Sequence, residues 1–149
     1  MILFSLMACN NEPSMKRINT LEKRVSKTEK KYQETETAFN QLVDDCAKLD
    51  EFLRKNNTPK PEMQLLRAYL QQYEDERIAM KEEIKYSKSQ LANLKDDFKN
   101  GLYDETQRGE YLKSEEEALN KTEAKLDYFL DRFKQQSDFI KIQKSNKLQ

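Results

Sequence analysis

The side chains best suited to chemistry in this sequence are two cysteines, Cys9 and Cys46, and several clusters of acidic residues. The chain has no histidine, so the commonest general base and metal ligand is missing. Two cysteines can form at most one bridge. Cys46 falls on an apolar helical stripe and Cys9 precedes any predicted helix, so we expect both to be unpaired. At a stripe position Cys46 is interpreted as a small core residue rather than a reactive thiol.

Three clusters of acidic residues could in principle hold a cation: Asp44-Asp45, Asp96-Asp97 and Glu115-Glu116-Glu117. Adjacent residues on a helix point in different directions, so these carboxylates do not converge on one ion. The sequence also has neither the Asp- and Gly-rich loop of a calcium site nor a Gly-rich phosphate loop. A solid bundle of helices would leave no pocket for a small-molecule substrate. The sequence therefore predicts no enzyme, no metal site and no bound cofactor.

The amino-acid composition indicates which kind of secondary structure carries these residues. Of 149 residues, 36% are charged and 36% apolar, with only two Gly and three Pro. Few helix breakers and abundant Lys, Glu and Leu are typical of long helices. The 27 basic and 27 acidic residues give a net charge of zero, so the basic footprint of a nucleic-acid-binding protein is absent.

The N-terminal residues differ from everything after them. Residues 1–9 are uncharged and mostly apolar, and residues 10–13 are polar and turn-like. An apolar run that ends in a small residue is typical of a secretory signal. The run is too short to span a bilayer, which takes about 20 residues.

One segment within this run resembles the lipobox of bacterial lipoproteins: Leu6-Met7-Ala8-Cys9. The resemblance implies that residues 1–8 are a signal peptide that is removed, that diacylglycerol is joined to Cys9, and that residues 9–13 form a short tether. No other cofactor is expected. The implied location is the cell envelope, lipid-anchored to a membrane and either periplasmic or surface-exposed. The alternative is a cytoplasmic protein in which the cysteine stands by chance behind a hydrophobic tip.

From residue 14 onward, apolar residues recur at alternating spacings of three and four, which is the pattern of coiled-coil helices. The most regular stripe is the middle one, in which only Arg77 and Ser87 are not apolar: Met63, Leu66, Leu70, Tyr73, Arg77, Met80, Ile84, Ser87, Leu91, Leu94, Phe98. Similar stripes precede and follow it: Ile18, Leu21, Val25, Thr28, Tyr32, Thr35, Phe39, Leu42, Cys46, Leu49 and Leu53, then Leu112, Glu115, Leu119, Thr122, Leu126, Phe129, Phe133, Gln136 and Ile140.

Helix breakers separate the three stripes. Pro59 and Pro61 interrupt the first link, and Gly101 suits a left-handed cap at the second. We predict helices at about 14–56, 59–100 and 104–146 within one domain, residues 14–149. Ser14 and Thr58 are predicted N-caps, and Asp104 with Gln107 resembles a capping box, although Gly109 could delay the third helix until Glu110.

Three helices joined by short links predict an all-α fold: an antiparallel up-down-up three-helix coiled-coil bundle with a flexible N-terminal segment. Charge favours this topology, because residues 15–31 carry seven basic and two acidic side chains, whereas residues 104–117 carry six acidic and two basic ones. The basic run could instead touch anionic head groups beside an acylated Cys9, but neutralisation by the third helix is the preferred interpretation.

Pairing the stripes predicts individual layers of the bundle. Leu70 should share a layer with Cys46 and Phe133. A polar layer should join Ser87 with Thr28 and Glu115, and such layers can fix the register of a coiled coil. Arg77 should pack its stem past Phe39 and extend its guanidinium into water.

Five large apolar residues lie off the stripes: Leu65, Ile78, Tyr86, Tyr128 and Ile142. We expect Ile78 near Tyr128 and Leu65 near Ile142. Isolated exposed apolar residues are ordinary, but pairs across two helices could form a docking face for an envelope protein or a second copy of the chain.

The sequence thus favours a membrane-anchored envelope lipoprotein that acts as a rigid helical spacer or protein-binding module. In composition and period, the rest of the chain resembles helical envelope lipoproteins described as cell-wall-binding or viral-inclusion-like. Two alternatives stay open: a soluble cytoplasmic or phage-encoded coiled-coil scaffold, and a periplasmic holdase chaperone.

Overall fold

The computed structural model describes residues 12–57 and 63–145, and over these residues the chain is an all-α, antiparallel three-helix bundle. Helix α1 spans Glu12–Lys55, α2 spans Met63–Lys99 and α3 spans Glu105–Ser145. The described part contains no strand, and the predicted fold class is confirmed. The expected flexible N-terminal segment and the first link, with Thr58, Pro59 and Pro61, lie outside the described residues.

Helix α1 begins at Glu12, two residues earlier than predicted. Glu12 and Pro13 therefore belong to its first turn rather than to a tether, and Ser14 lies inside the helix instead of capping it. Proline suits this position because the first amide groups of a helix have no intrahelical partner to lose. At the other end, Asn57 adopts a positive φ of 47° just after the last turn.

The turn between α2 and α3 is a Schellman motif centred on Gly101, which has a φ of 72°. The Gly101 amide donates to the Phe98 carbonyl at 3.2 Å, and the Leu102 amide donates to the Asp97 carbonyl at 3.1 Å. These two bonds satisfy the last carbonyls of α2, and glycine supplies the left-handed backbone at low cost. The prediction of a glycine cap is confirmed.

Helix α3 starts with the predicted capping box. The Gln107 amide donates to Asp104 Oδ1 at 2.9 Å, and the Asp104 amide donates to Gln107 Oε1 at 3.2 Å. The expectation that Gly109 could delay the helix until Glu110 is wrong, since α3 begins at Glu105. The reciprocal caps offset the cost of one glycine, which is about 1 kcal/mol.

The bundle consists of two compact units, each built from parts of all three helices. The first unit contains residues 12–29 and 81–123, and the second contains residues 30–57, 63–80 and 124–145.

In the first unit, two pairs of contacts define the helix directions. Arg17 and Arg24 of α1 contact Glu116 and Glu123 of α3, so both partners advance by seven residues and the two helices run parallel. Between α1 and α2 the order is reversed, because Glu22 contacts Lys95 whereas Glu29 contacts Lys88. Helix α2 is therefore antiparallel to the other two, as the topology predicted.

The apolar stripes form the core of both units. Nearly all stripe residues are buried, including Cys46, whose assignment to the core is confirmed. The exceptions are half-buried: Tyr32, Leu70, Arg77, Glu115 and Gln136. The third stripe also reaches one position further than predicted, to Arg108, which is buried with its guanidinium 5.1 Å from the centre of the Phe98 ring.

The second unit has an aromatic core. Tyr73 lies 5.0 Å from Phe39 and from Phe129, and 5.2 Å from Phe133, between ring centres. Phe133 also lies 6.0 Å from Phe39, which stands seven residues before Cys46 on α1. On α2, Phe133 therefore packs against Tyr73, three residues from the predicted Leu70. On α1 it lies near Phe39, one heptad before the predicted Cys46.

Two charged residues, Glu36 and Arg77, border this aromatic core. The buried Tyr73 hydroxyl donates to Glu36 Oε1 at 2.7 Å, and Arg77 Nη1 lies 3.5 Å from Glu36 Oε2. The Arg77 guanidinium also covers the Phe39 ring at 5.4 Å. Its stem packs as predicted, but its head is paired with Glu36 rather than extended into water, because the adjoining carboxylate offers a charged partner.

Candidate functional surfaces

The predicted lipid-attachment residue, Cys9, lies outside the described residues and stays a prediction. It stands three residues before Glu12, where α1 begins. A chain of three residues spans at most about 10 Å. A lipid on Cys9 would consequently hold the first turn of α1 close to a membrane surface.

The five residues of the predicted docking face are all exposed, with relative exposures from 39% at Tyr128 to 68% at Ile78. They do not form one face. Arg67 of α2 contacts Asp50 of α1, and Ile78 follows Arg67 by three full helical turns, so Ile78 lies on the side of α2 that faces α1. The expectation that Ile78 lies near Tyr128 is wrong, because Tyr128 belongs to the opposite flank.

That opposite flank is held together by an arginine between two tyrosines. The guanidinium of Arg132 lies 5.7 Å from the ring centre of Tyr69 on α2 and 5.2 Å from that of Tyr128 on α3. Its Nη1 also donates to Gln135 at 3.0 Å. Cation–π contacts of this kind contribute roughly 0.5–1 kcal/mol each when partly exposed.

Helical spacing places two of the predicted residues on this flank of the second unit. Leu65 lies one turn before Tyr69, and Ile142 lies on the same side of α3 as Tyr128, four turns further on. We call this set the α2/α3 face: Leu65, Tyr69, Tyr128, Arg132 and Ile142. Sequence reasoning missed Tyr69 and Arg132, because both directly precede stripe residues and their contact forms only when α2 and α3 pack together. Tyr86 is also exposed but belongs to the first unit.

The second unit also has an open groove between α1 and α3, with a volume of about 470 Å³. Its floor is apolar, with Ala38, Leu42, Leu130 and Phe133, and its rim carries Gln41, Lys134, Ser137, Asp138 and Lys141. The expectation of a bundle without any pocket therefore needs correction. Two of the rim groups, Lys141 and Asp138, are paired with each other at 3.1 Å.

The predicted polar layer is present in the first unit, with a changed partner. Ser87 is buried and lies close to Glu115, as expected. Thr28 instead donates to Glu123 Oε1 at 2.9 Å. Another hydrogen bond between helices runs from Thr122 to Glu83 Oε2 and is also 2.9 Å long.

Glu115 is the least well satisfied member of this layer. Its Oε2 atom is buried without a hydrogen-bond partner among the described residues. Burial raises the pKa of the Glu115 carboxyl above its usual 4.5, and the hydrogen bond from Ser87 offsets this only in part. The ionised form is therefore less favourable in the folded chain than in the unfolded one.

The substitution Glu115→Gln should make the bundle more stable than the wild type at neutral pH, because an amide carries no charge to desolvate. A raised pKa means that the folded state holds its proton longer, so wild-type stability falls as the pH rises above about 4.5. The variant's advantage should appear across that window and vanish below it. Urea unfolding of both proteins over a pH series measures the difference, and a constant gap at all pH values would contradict this explanation.

Part of the basic run of α1 is matched by acidic residues of α3. Arg17 Nη2 lies 2.8 Å from Glu116 Oε2, and Arg24 Nη2 lies 2.7 Å from Glu123 Oε2. The hydrogen bond with Glu123 raises the pKa of Arg24 above its usual value. Neutralisation by α3, the preferred interpretation of this run, is confirmed for these residues.

The buried groups that could act as nucleophiles are held in their neutral forms. Burial raises the pKa of the Cys46 thiol, and burial together with Glu36 raises the pKa of the Tyr73 hydroxyl. Both shifts disfavour the reactive anion. Among the described residues no group of three Cys, Asp or Glu side chains is placed to hold a metal ion.

Comparison of the chain with protein-family models, with curated proteins and with solved structures finds no match. Over residues 12–57 and 63–145, no helix is both long enough and apolar enough to cross a membrane.

Proposed function

We propose that this protein is a lipid-anchored component of the cell envelope that works as a helical spacer and protein-binding module. Cys9 carries the lipid, as its likeness to a lipobox implies. The three-helix bundle projects from the membrane surface and binds an envelope protein. This role needs no active site, and the described core is filled by side chains that pack rather than react.

The short distance between Cys9 and α1 is the observation that carries the proposal. With only Asn10 and Asn11 between the cysteine and Glu12, the anchor leads almost directly into an ordered helix. A spacer needs such a short connection, because a long flexible tether would let the bundle lie at variable distances from the membrane.

Metabolic labelling with radioactive palmitate tests the anchor. The wild-type chain should take up label and sediment with membranes, and Cys9→Ser should abolish both. Cys46→Ser is the matched control, because it removes the other thiol from the buried core and should leave labelling intact. An unlabelled, soluble wild-type chain would favour the coiled-coil scaffold instead.

The α2/α3 face is the proposed protein-binding surface. Leu65 and Ile142 are more than half exposed, and the guanidinium of Arg132 packs against the ring of Tyr128. Exposed aromatic and arginine side chains on a rigid support are typical of interaction sites.

The double substitution Leu65→Glu with Tyr128→Glu should abolish crosslinking to the partner from a photoreactive residue at position 142. Placing charge on an apolar contact surface should weaken binding by at least tenfold. Ile78→Glu on the other flank is the matched control and should crosslink as the parent does. Equal crosslinking by all three proteins would rule out this face, provided that circular dichroism shows unchanged helix content.

A further inference from the structure

A second exposed apolar patch lies at the turn between α2 and α3, in the first unit. Leu102 is 63% exposed and Tyr111 is 43% exposed, although neither was singled out by the sequence pattern. The ring of Tyr103 bridges them to the core, since it lies 4.9 Å from Tyr111 and 6.2 Å from the buried Phe98. We call these three residues the tip patch: Leu102, Tyr103 and Tyr111.

The tip patch lies at the same end of the first unit as the start of α1. Helices α1 and α3 are parallel, and Arg17 contacts Glu116 at 2.8 Å. The same offset between the two helices places the first turn of α1 beside the turn of α3 that carries Tyr111. Cys9 precedes that first turn by only three residues, a reach of about 10 Å.

A lipid on Cys9 would therefore bring the tip patch to the head-group region of the membrane. Tyrosine is enriched at membrane surfaces because its ring is apolar and its hydroxyl can stay hydrated. Leucine supplies the apolar side chain that enters the acyl boundary. The patch has the residue types expected of such a contact and the position that the anchor dictates.

The charges around the patch define the kind of lipid surface. Asp97 lies close enough to Tyr103 to help raise the pKa of its hydroxyl, and Asp104 and Glu105 follow Tyr103 in the chain, while Arg108 is buried over Phe98. The exposed lysines on either side of the turn, Lys99 and Lys113, are each paired with a carboxylate of their own helix. Contact with a membrane is therefore expected to depend mainly on apolar insertion rather than on attraction to anionic lipid.

We propose that Leu102, Tyr103 and Tyr111 form a second membrane contact that seats the first unit on the lipid surface and fixes its orientation. This proposal rests on the proposed lipid anchor at Cys9. The anchor alone is a single point about which the bundle pivots, and a second contact restricts that motion.

The chain has no tryptophan, so a single introduced tryptophan reports on its own surroundings. Tyr111→Trp places the probe in the patch. Tyr86→Trp is the matched control, because Tyr86 is an exposed tyrosine of α2 in the same unit but away from the turn. The full-length chain is coupled through Cys9 to a maleimide phospholipid in phosphatidylcholine vesicles, with Cys9→Ser showing that the buried Cys46 does not couple.

Phospholipids brominated on their acyl chains quench any tryptophan that reaches them. The probe at position 111 should shift to shorter wavelength on coupling and lose most of its emission to brominated lipid, while the probe at position 86 changes little. Adding Leu102→Asp should restore most of the emission at position 111. Replacing phosphatidylcholine by phosphatidylglycerol should not increase the quenching.

Equal and weak quenching at both positions would overturn the tip contact. So would a probe at position 111 that is already shifted before coupling and is insensitive to brominated lipid, because the N-terminal residues would then cover the patch. Chemical coupling supplies the anchor in every arm, so these outcomes are separate from palmitate labelling in cells, which tests the natural anchor.

Discussion

Replacing Phe129 by alanine is expected to lower the free energy of unfolding by about 3–5 kcal/mol. Phe129 is only 1% exposed, and its ring lies 5.0 Å from Tyr73 and 6.0 Å from Phe133. Removing it opens a cavity where all three helices contribute aromatic rings, and the loss is a large part of the roughly 5–15 kcal/mol that holds a domain folded.

The neighbouring residue provides the control. Tyr128 is 39% exposed and stands one position earlier on α3, so Tyr128→Ala should cost about 1 kcal/mol or less. Urea unfolding followed by far-ultraviolet circular dichroism measures both variants against the wild type. Equal losses for the two substitutions would mean that the third stripe does not face the core as described.

Reversing the charge of Arg24 should destabilise the bundle by about 2 kcal/mol or more, and a second reversal on α3 should recover most of that loss. Arg24 bonds to Glu123 Oε1 at 3.1 Å and Oε2 at 2.7 Å, with both side chains about a quarter exposed. It also lies 3.8 Å from Glu116. Arg24→Glu would bring three carboxylates together in this partly buried place, where repulsion is poorly screened.

The compensating substitution is Glu123→Arg. If α1 and α3 are parallel in the described register, the double variant Arg24→Glu with Glu123→Arg restores the pair and should unfold close to the wild type. Glu117→Arg is the register control, because Glu117 is paired with Lys113 within α3 and should not rescue Arg24→Glu. A double-mutant cycle with no coupling between positions 24 and 123 would contradict the register.

The stripes could be predicted because their physical cause is local. A helix that carries an apolar residue every three to four positions must cover that stripe, and all but a few of the stripe residues proved buried. The capping box at Asp104 and the glycine cap at Gly101 were also predictable, since each depends on residues a few positions apart.

The register between α1 and α3 was harder to predict. A stripe that repeats every seven residues fits its partner almost equally well after a shift of one heptad. Individual pairs decide between these registers, such as Arg17 with Glu116 and Phe39 with Phe133. The expected partner of Phe133 on α1, Cys46, was one repeat away for this reason.

The candidate surfaces were predicted only in part. Exposure of Ile78 and Leu65 followed from their positions off the stripe, but the side of α2 that each occupies depends on where its neighbouring helices lie. Tyr69 sits beside the stripe and pairs with Arg132 only once α3 is in place. Leu102 and Tyr111 follow no heptad period, so the tip patch could be recognised only from the structure of the turn between α2 and α3.

The mass of the protein purified from membranes tests the central claim most directly. We expect a chain that begins at Cys9, lacks residues 1–8 and carries the added mass of diacylglycerol, with the modification confined to the N-terminal peptide. A chain that retains Met1 and an unmodified Cys9 would contradict the anchor, the spacer role and the setting proposed for the tip patch.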